Sequence, residues 1–418
     1  MSNRSMAKLD WSSIFLYFVL VGMGWLNIYS ASVSDTSLSL FDFNQPYGRQ
    51  LIFIGLSVLV IIVILSVEAK FYERFSSIIY ILSLLSLLLL FPFGKTISGA
   101  TSWYSIGGLG LQPSEFAKAA TALALANYIS DIQTNMKLLG HQLKAFLIIF
   151  LPAIFIVPQP DPGSAVVFAA FFFVLHREGV SANYLWFGLS ALALFVGTLL
   201  IGEVFASVFF SLLMFILFFI RKKGKKKKFY PFLIAIVCSI GFSYASNYIF
   251  NEVFEQRHRD RFNIVLGKSV DTRGIGYNTN QSQIAIGSGG FSGRGFLEGT
   301  QTKGGFVPEQ HTDYIFSTVG EEWGFVGSTL VIIVFMTLML RLLHIAERQR
   351  TQFSRVYGYG VVSILFVHFA VNIGMVIGLL PTVGIPLPFF SYGGSGLWGF
   401  TILLFIFLKL DSNRINEW

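Results

Sequence analysis

Charge is scarce in this chain: only 12% of its 418 residues are Asp, Glu, Lys or Arg, where a soluble domain carries roughly 25%. Cysteine is nearly absent. Cys238 stands alone in an apolar run, so neither a disulfide framework nor a cysteine metal cluster can form. No P-loop, HExxH or GxSxG occurs, which argues against an ATP-driven pump and leaves no nucleotide site. What is there instead is apolar: 54% hydrophobic residues, 45 of them Phe, and a mean hydropathy of +0.66. A soluble fold cannot hide that much apolar surface behind so few charges. The composition excludes a secreted domain, a disordered tail and a soluble cytoplasmic enzyme, and leaves a polytopic membrane protein.

Spanning helices need about 20 apolar residues. Such stretches fall at roughly 11–32, 50–67, 76–93, 113–130, 145–158, 163–176, 184–201, 204–220, 230–250, 313–342, 357–380 and 396–411. They predict an all-α membrane bundle of twelve spans. Two of these, 145–158 and 163–176, are short and joined by Pro158-Gln159-Pro160-Asp161-Pro162-Gly163. Half-depth or tilted helices are expected there, around a break packed in protein or wetted by a cavity. The opening MSNRSMAKLD is too polar for a cleaved signal peptide, so the first apolar run reads as a membrane helix.

Lys and Arg set the orientation. With the N-terminus in the cytoplasm, the inside segments hold 20 of the 30 basic residues, among them Arg4, Lys8 and the run Arg221 to Lys228. Both termini are then cytoplasmic. The 221–228 run reads as a stop-transfer anchor that also touches anionic membrane lipid, not nucleic acid. Seven other basic residues lie in one outer loop, 251–312: Arg257, Arg259, Arg261, Lys268, Arg273, Arg294 and Lys303. Either an anionic ligand retains them there, or a long loop is simply exempt from the charge rule. The loop holds apolar residues and the stretch GSGGFSGRGF (287–296), which reads as ordered chain with a function.

Polar residues inside spans are expensive and point to function. Three groups stand out. Trp103 precedes Gln112-Pro113-Ser114-Glu115, and Glu115 pairs with Lys118 three residues on. That pair is either part of a site or a self-neutralising helix mouth, and Trp103 alone fits an interfacial aromatic belt. The second group is Pro308-Glu309-Gln310-His311-Thr312-Asp313, where the polar loop becomes a helix. Asp313 suits an N-cap or a tuned general base, and Glu321 and Glu322 lie about two turns deeper. The third is 381–396, whose three Pro and four Gly forbid a regular helix. Its Gly393 and Gly394 N–H groups suit an anion, or the stretch is only a tight turn. All three groups fall on the outer face with the basic loop, as a site for an anionic, lipid-linked substrate would.

Taken in order, Gly99-Ala100 with Trp103, QPSE (112–115) with Lys118, QPDPG (159–163), the block 274–327 and GIPLPFFSYGGSG (384–396) resemble the SEDS family (shape, elongation, division and sporulation), most closely its rod-shape members. The resemblance implies a peptidoglycan glycosyltransferase that polymerises lipid II at the outer face of the cytoplasmic membrane. Asp313 would take the proton of the acceptor hydroxyl, and inversion would turn an α-linked donor into a β-1,4 bond. Substrate-binding residues would be Trp103, Glu115, Lys118, Arg294, Lys303, Gln310, His311, Thr312, Ser391, Gly393 and Gly394. Lys118, Arg294, Lys303 or a divalent cation (Mg or Mn) would help the diphosphate leave. A class B penicillin-binding protein is the implied partner. The chain departs from the family in carrying Ser102 where Arg often precedes the Trp, and in its twelve spans against the usual ten. The surplus reads as an inserted hairpin, 184–228, within one membrane domain of 1–418. A precursor flippase and a non-catalytic scaffold of the elongation complex are the alternatives; a flippase would need polar groups at both faces.

Overall fold

The computed structural model describes residues 9–33, 41–97, 99–107, 109–220, 230–254, 256–268 and 276–414. The expectations placed on Arg4, Lys8, the 221–228 run and Arg273 lie outside these residues. Two compact units divide the chain: one formed by residues up to Val180 together with those from Asn278 on, the other by Ser181–Tyr277.

The first unit opens with α1 (Trp11–Ser32), capped by Asp10, whose carboxylate accepts the Ser13 N–H and the Arg341 guanidinium. It continues with α2 (Pro46–Ser66), the short α3 (Ala69–Arg74), α4 (Ser76–Leu88) and α5 (Leu90–Phe93). Three short antiparallel strands follow, β1 (Lys95–Ile97), β2 (Ala100–Ile106) and β3 (Leu109–Leu111), with β2 in the centre. The sequence reading anticipated no sheet. β1 and β3 are too short to carry an alternation signal, and the seven residues of β2, ATSWYSI, do not alternate apolar with polar.

Next come α6 (Pro113–Ser130), α7 (Leu139–Ile156), α8 (Pro162–Val167), a 3-10 turn at Phe168–Ala170, and α9 (Phe171–Arg177). Beyond the second unit lie α14 (Tyr277–Gly289), α15 (Thr300–Lys303), α16 (Ile315–Glu347), α17 (Gln352–Val376) and α18 (Gly394–Asn413). Helix α6 is the hub, packing against α4, α17 and α18. Its Ala, Ser and Thr side chains let neighbouring backbones come close, and 14 of its 18 residues are buried.

Among the described residues nine helices, rather than twelve, are long and apolar enough to cross a membrane. The three that fall short have identifiable reasons. Helix α6 faces protein and carries Glu115 and Lys118 within its small-residue surface. The stretch 162–177 is broken by its 3-10 turn, as expected for a half-depth or tilted segment. The third, α11 (Glu203–Ile220), is apolar, and its described side chains end at Ile216.

Helix α16 is two helices in one. Gly324 (φ 62, ψ −156) breaks it, a conformation open only to glycine. The N–H groups of Phe325 and Val326 turn to the carbonyls of Gly290 and Phe291, while the carbonyls of Glu321 and Glu322 receive the N–H groups of Arg294 and Gly295. The 290–295 segment thereby supplies the hydrogen bonds the helix gives up, as backbone within a membrane bundle requires.

The second unit holds α10 (Asn183–Ile201), α11 and α12 (Tyr230–Tyr248), then a π turn and α13 (Gln256–Val265). A buried bond between the Thr198 and Ser243 hydroxyls (2.7 Å) joins α10 to α12. Phe262 of α13 packs among Phe195, Phe250 and Phe254.

Candidate functional site

Asp313 occupies the turn just before α16. The helix starts at Ile315 with Tyr314 as its N-cap residue, so the carboxylate does not hold the Ncap position that an ordinary helix start would give it. The residue is half-buried. Around it the chain from 377 to 393 runs as irregular backbone, as three prolines dictate. Gly384 (φ 72) passes so near that a Cβ there would lie 3.5 Å from the Asp313 Oδ2. The buried Asn372 amide donates to the Asp313 carbonyl (2.8 Å) and to the Ile385 carbonyl (2.7 Å), clasping the two segments together. Ser391 Oγ donates to the Thr312 carbonyl (2.7 Å) and accepts the Leu387 N–H. The Tyr392 N–H donates to the His311 carbonyl (2.8 Å), and the two rings meet edge to face. Burial pushes the His311 imidazole below its usual range, against a smaller upward pull from Glu309. Burial likewise raises the Tyr392 hydroxyl, opposed by Arg49.

Beneath this rim lies a buried polar cluster. Lys118 Nζ contacts both Glu115 oxygens at 2.8 Å and His368 Nε2 at 2.9 Å, and stands over the Phe400 ring. Because an ammonium only donates, Nε2 accepts, and the Nδ1 proton is directed at the Pro386 carbonyl 3.2 Å away. Lys118 and Glu115 are thus linked through His368 to the segment that wraps Asp313. Gln112 donates to Asp161 (2.9 Å), drawing QPDPG into the same cluster. Trp103 packs over Gly110, whose carbonyl accepts Ser395 Oγ at 2.9 Å.

The site residues named from sequence therefore separate. His311, Thr312, Asp313, Ser391 and Gly393 meet at the rim. Trp103, Glu115 and Lys118 join it through Ser395 and His368. Gly394 starts α18 against Phe53, and the Gly393 N–H is taken by Gln50 (3.1 Å). Gln310 ties the loop to the Ala31 carbonyl at the end of α1 (2.7 Å). Arg294 and Lys303 belong to another neighbourhood. Arg294 is exposed and reaches Thr300, and Lys303 ends α15, whose first N–H groups donate to the buried Glu321 carboxylate. Beside it Glu322 takes the Ser30 hydroxyl. Among the described residues no three His, Cys, Asp or Glu side chains come together.

The sequence reading passed over His368, Asn372, Gln50 and Arg49. A signal existed for the first two: they lie four residues apart, hence on one face of α17, in an otherwise apolar span.

The model of the FtsW/RodA/SpoVE cell cycle proteins matches residues 11–201 and 196–416. The chain belongs to this family. Curated FtsW/RodA/SpoVE relatives match along its whole length. Peptidoglycan glycosyltransferase RodA of Treponema pallidum is 30% identical over 440 residues, covering 99% of this chain and 100% of the relative. Peptidoglycan glycosyltransferase MrdB of Escherichia coli K12 is 32% identical, covering 93% and 90%. Among solved structures, a chain from a peptidoglycan synthase complex that coordinates polymerization and crosslinking superposes with a TM-score of 0.72, 25% identity and coverage of 98% and 99%. The rod shape determining protein RodA of Thermus thermophilus shares the fold, with a TM-score of 0.63, 24% identity and 97% coverage of each chain.

Proposed function

We infer that this peptidoglycan glycosyltransferase polymerises lipid II at the outer face of the bacterial cytoplasmic membrane during cell elongation, with Asp313 as general base. In the transfer, Asp313 takes the proton of the acceptor hydroxyl as that oxygen bonds to the anomeric carbon of the donor. The bond from that carbon to the diphosphate breaks, and undecaprenyl diphosphate leaves with the electron pair. One observation carries this reading: Asp313 is neither sealed nor on an open surface, but half-buried with its carboxylate beside Gly384. Partial burial suits a carboxylate that must hold a proton briefly. A class B penicillin-binding protein is the proposed partner, in keeping with the synthase complex of the structural neighbour. Both termini are cytoplasmic in this reading. The hairpin 184–228 is read as an insertion; the two stretches of the family match, 11–201 and 196–416, overlap within α10.

The experiment is lipid II polymerisation by the purified full chain with its class B partner, with and without Mg or Mn. Asp313→Asn should make no glycan while keeping the wild-type melting temperature. Full-length glycan from this variant removes Asp313 from the mechanism.

A further inference from the structure

The departing diphosphate needs a cation at the rim, and the expected ones are committed elsewhere. Lys118 is buried and held by both oxygens of Glu115. Arg294 and Lys303 sit on the loop bound to Glu321. Ser102 is buried within β2 and is not a cation.

Arg49 fits the vacancy in all three respects: exposure, contacts and depth. It is exposed in the first turn of α2. Its Nε donates to the Phe43 carbonyl (3.2 Å), and the guanidinium charge lies near enough to the Tyr392 hydroxyl to oppose the upward effect of burial there. Tyr392 contacts His311, two residues before Asp313. The adjacent Gln50 is buried and accepts the Gly393 N–H, which fixes the start of α2 against the same loop. The opening turn of a spanning helix lies at headgroup depth, where the diphosphate of a polyprenyl-linked sugar also lies. With Nε occupied by a carbonyl, the outer edge of the guanidinium is left to form paired hydrogen bonds with phosphate oxygens.

We propose that Arg49, oriented by Tyr392 and the Phe43 carbonyl, is the diphosphate-binding residue of the outer rim. This rests on the polymerase reading above. Arg49 recognises the donor's diphosphate, not the carboxylates of the attached peptide.

Steady-state polymerisation by the full chain with its partner tests it, using Arg49→Gln, Arg49→Lys and Tyr392→Phe, with inorganic pyrophosphate as competitor. Loss of one charge-assisted contact should raise the KM of Arg49→Gln for lipid II by about tenfold to hundredfold. Arg49→Lys should fall between it and wild type, because the charge remains and the fork is lost. Tyr392→Phe should show a smaller KM effect. Pyrophosphate should compete with lipid II in wild type and lose its potency in Arg49→Gln, with melting temperatures unchanged. Unaltered KM in Arg49→Gln overturns the assignment. So does a raised KM with pyrophosphate competition intact, which would indicate contact with the peptide carboxylates. An activity loss that tracks unfolding and is not rescued by Lys overturns it as well. An active Asp313→Asn enzyme would instead refute the base assignment and leave the Arg49 comparison readable.

Discussion

At the scale of single residues, the centre of the bundle depends on charges that cannot reach water. Lys118 is 2% and Glu115 4% exposed, so each is tolerable only because of the other. Lys118→Met should destabilise the protein by about 3–5 kcal/mol through the buried carboxylate it strands. The double variant with Glu115→Gln should recover much of that, and thermal unfolding in detergent reads both. His311 gives a pH signature. Its folded value lies below the 6.5 of a free imidazole, so the unfolded chain binds the proton more readily. The contribution is complete above pH 6.5 and is lost as pH falls through the folded value. Melting temperature should therefore drop on acidification below that point, and His311→Gln should drop less; equal slopes would count against it. The Glu115–Lys118 pair was legible from its spacing of three. Its third partner was not, since His368 comes from 250 residues away.

At the scale of elements, the outer loop and α16 hold each other's form. Gly324→Ala forces a Cβ toward the Gly293 N–H and Gly290 carbonyl in a backbone conformation that alanine resists. Glu321→Gln weakens the acceptor of the Gln301 and Thr302 N–H groups (2.7 and 2.8 Å). Both variants should be cut faster than wild type between 290 and 305 in limited proteolysis, with Gly324→Ala the more sensitive. The spans were legible where lipid selects for length and apolarity. Helix α6, expected at 113–130 and found at Pro113–Ser130, is less apolar because its surroundings are protein and small residues take the place of greasy ones. The sheet at 95–111 left no readable period, because its outer strands have three residues each and its central strand, ATSWYSI, does not alternate.

For the whole molecule, orientation is the testable property. In a Cys238→Ser background, Lys303→Cys should react with an impermeant maleimide added outside spheroplasts, and Arg350→Cys only after permeabilisation. The reverse pattern would invert the proposed topology. The polar rim gathers around one carboxylate, the asymmetry expected of a transferase. Asn372 bears on how a sugar arrives there. A single side chain grips the Asp313 and Ile385 carbonyls, so those two segments part together or not at all. Prising them open would forfeit two buried bonds, so in the proposed reaction the expected approach of a chain end is sideways along the membrane surface.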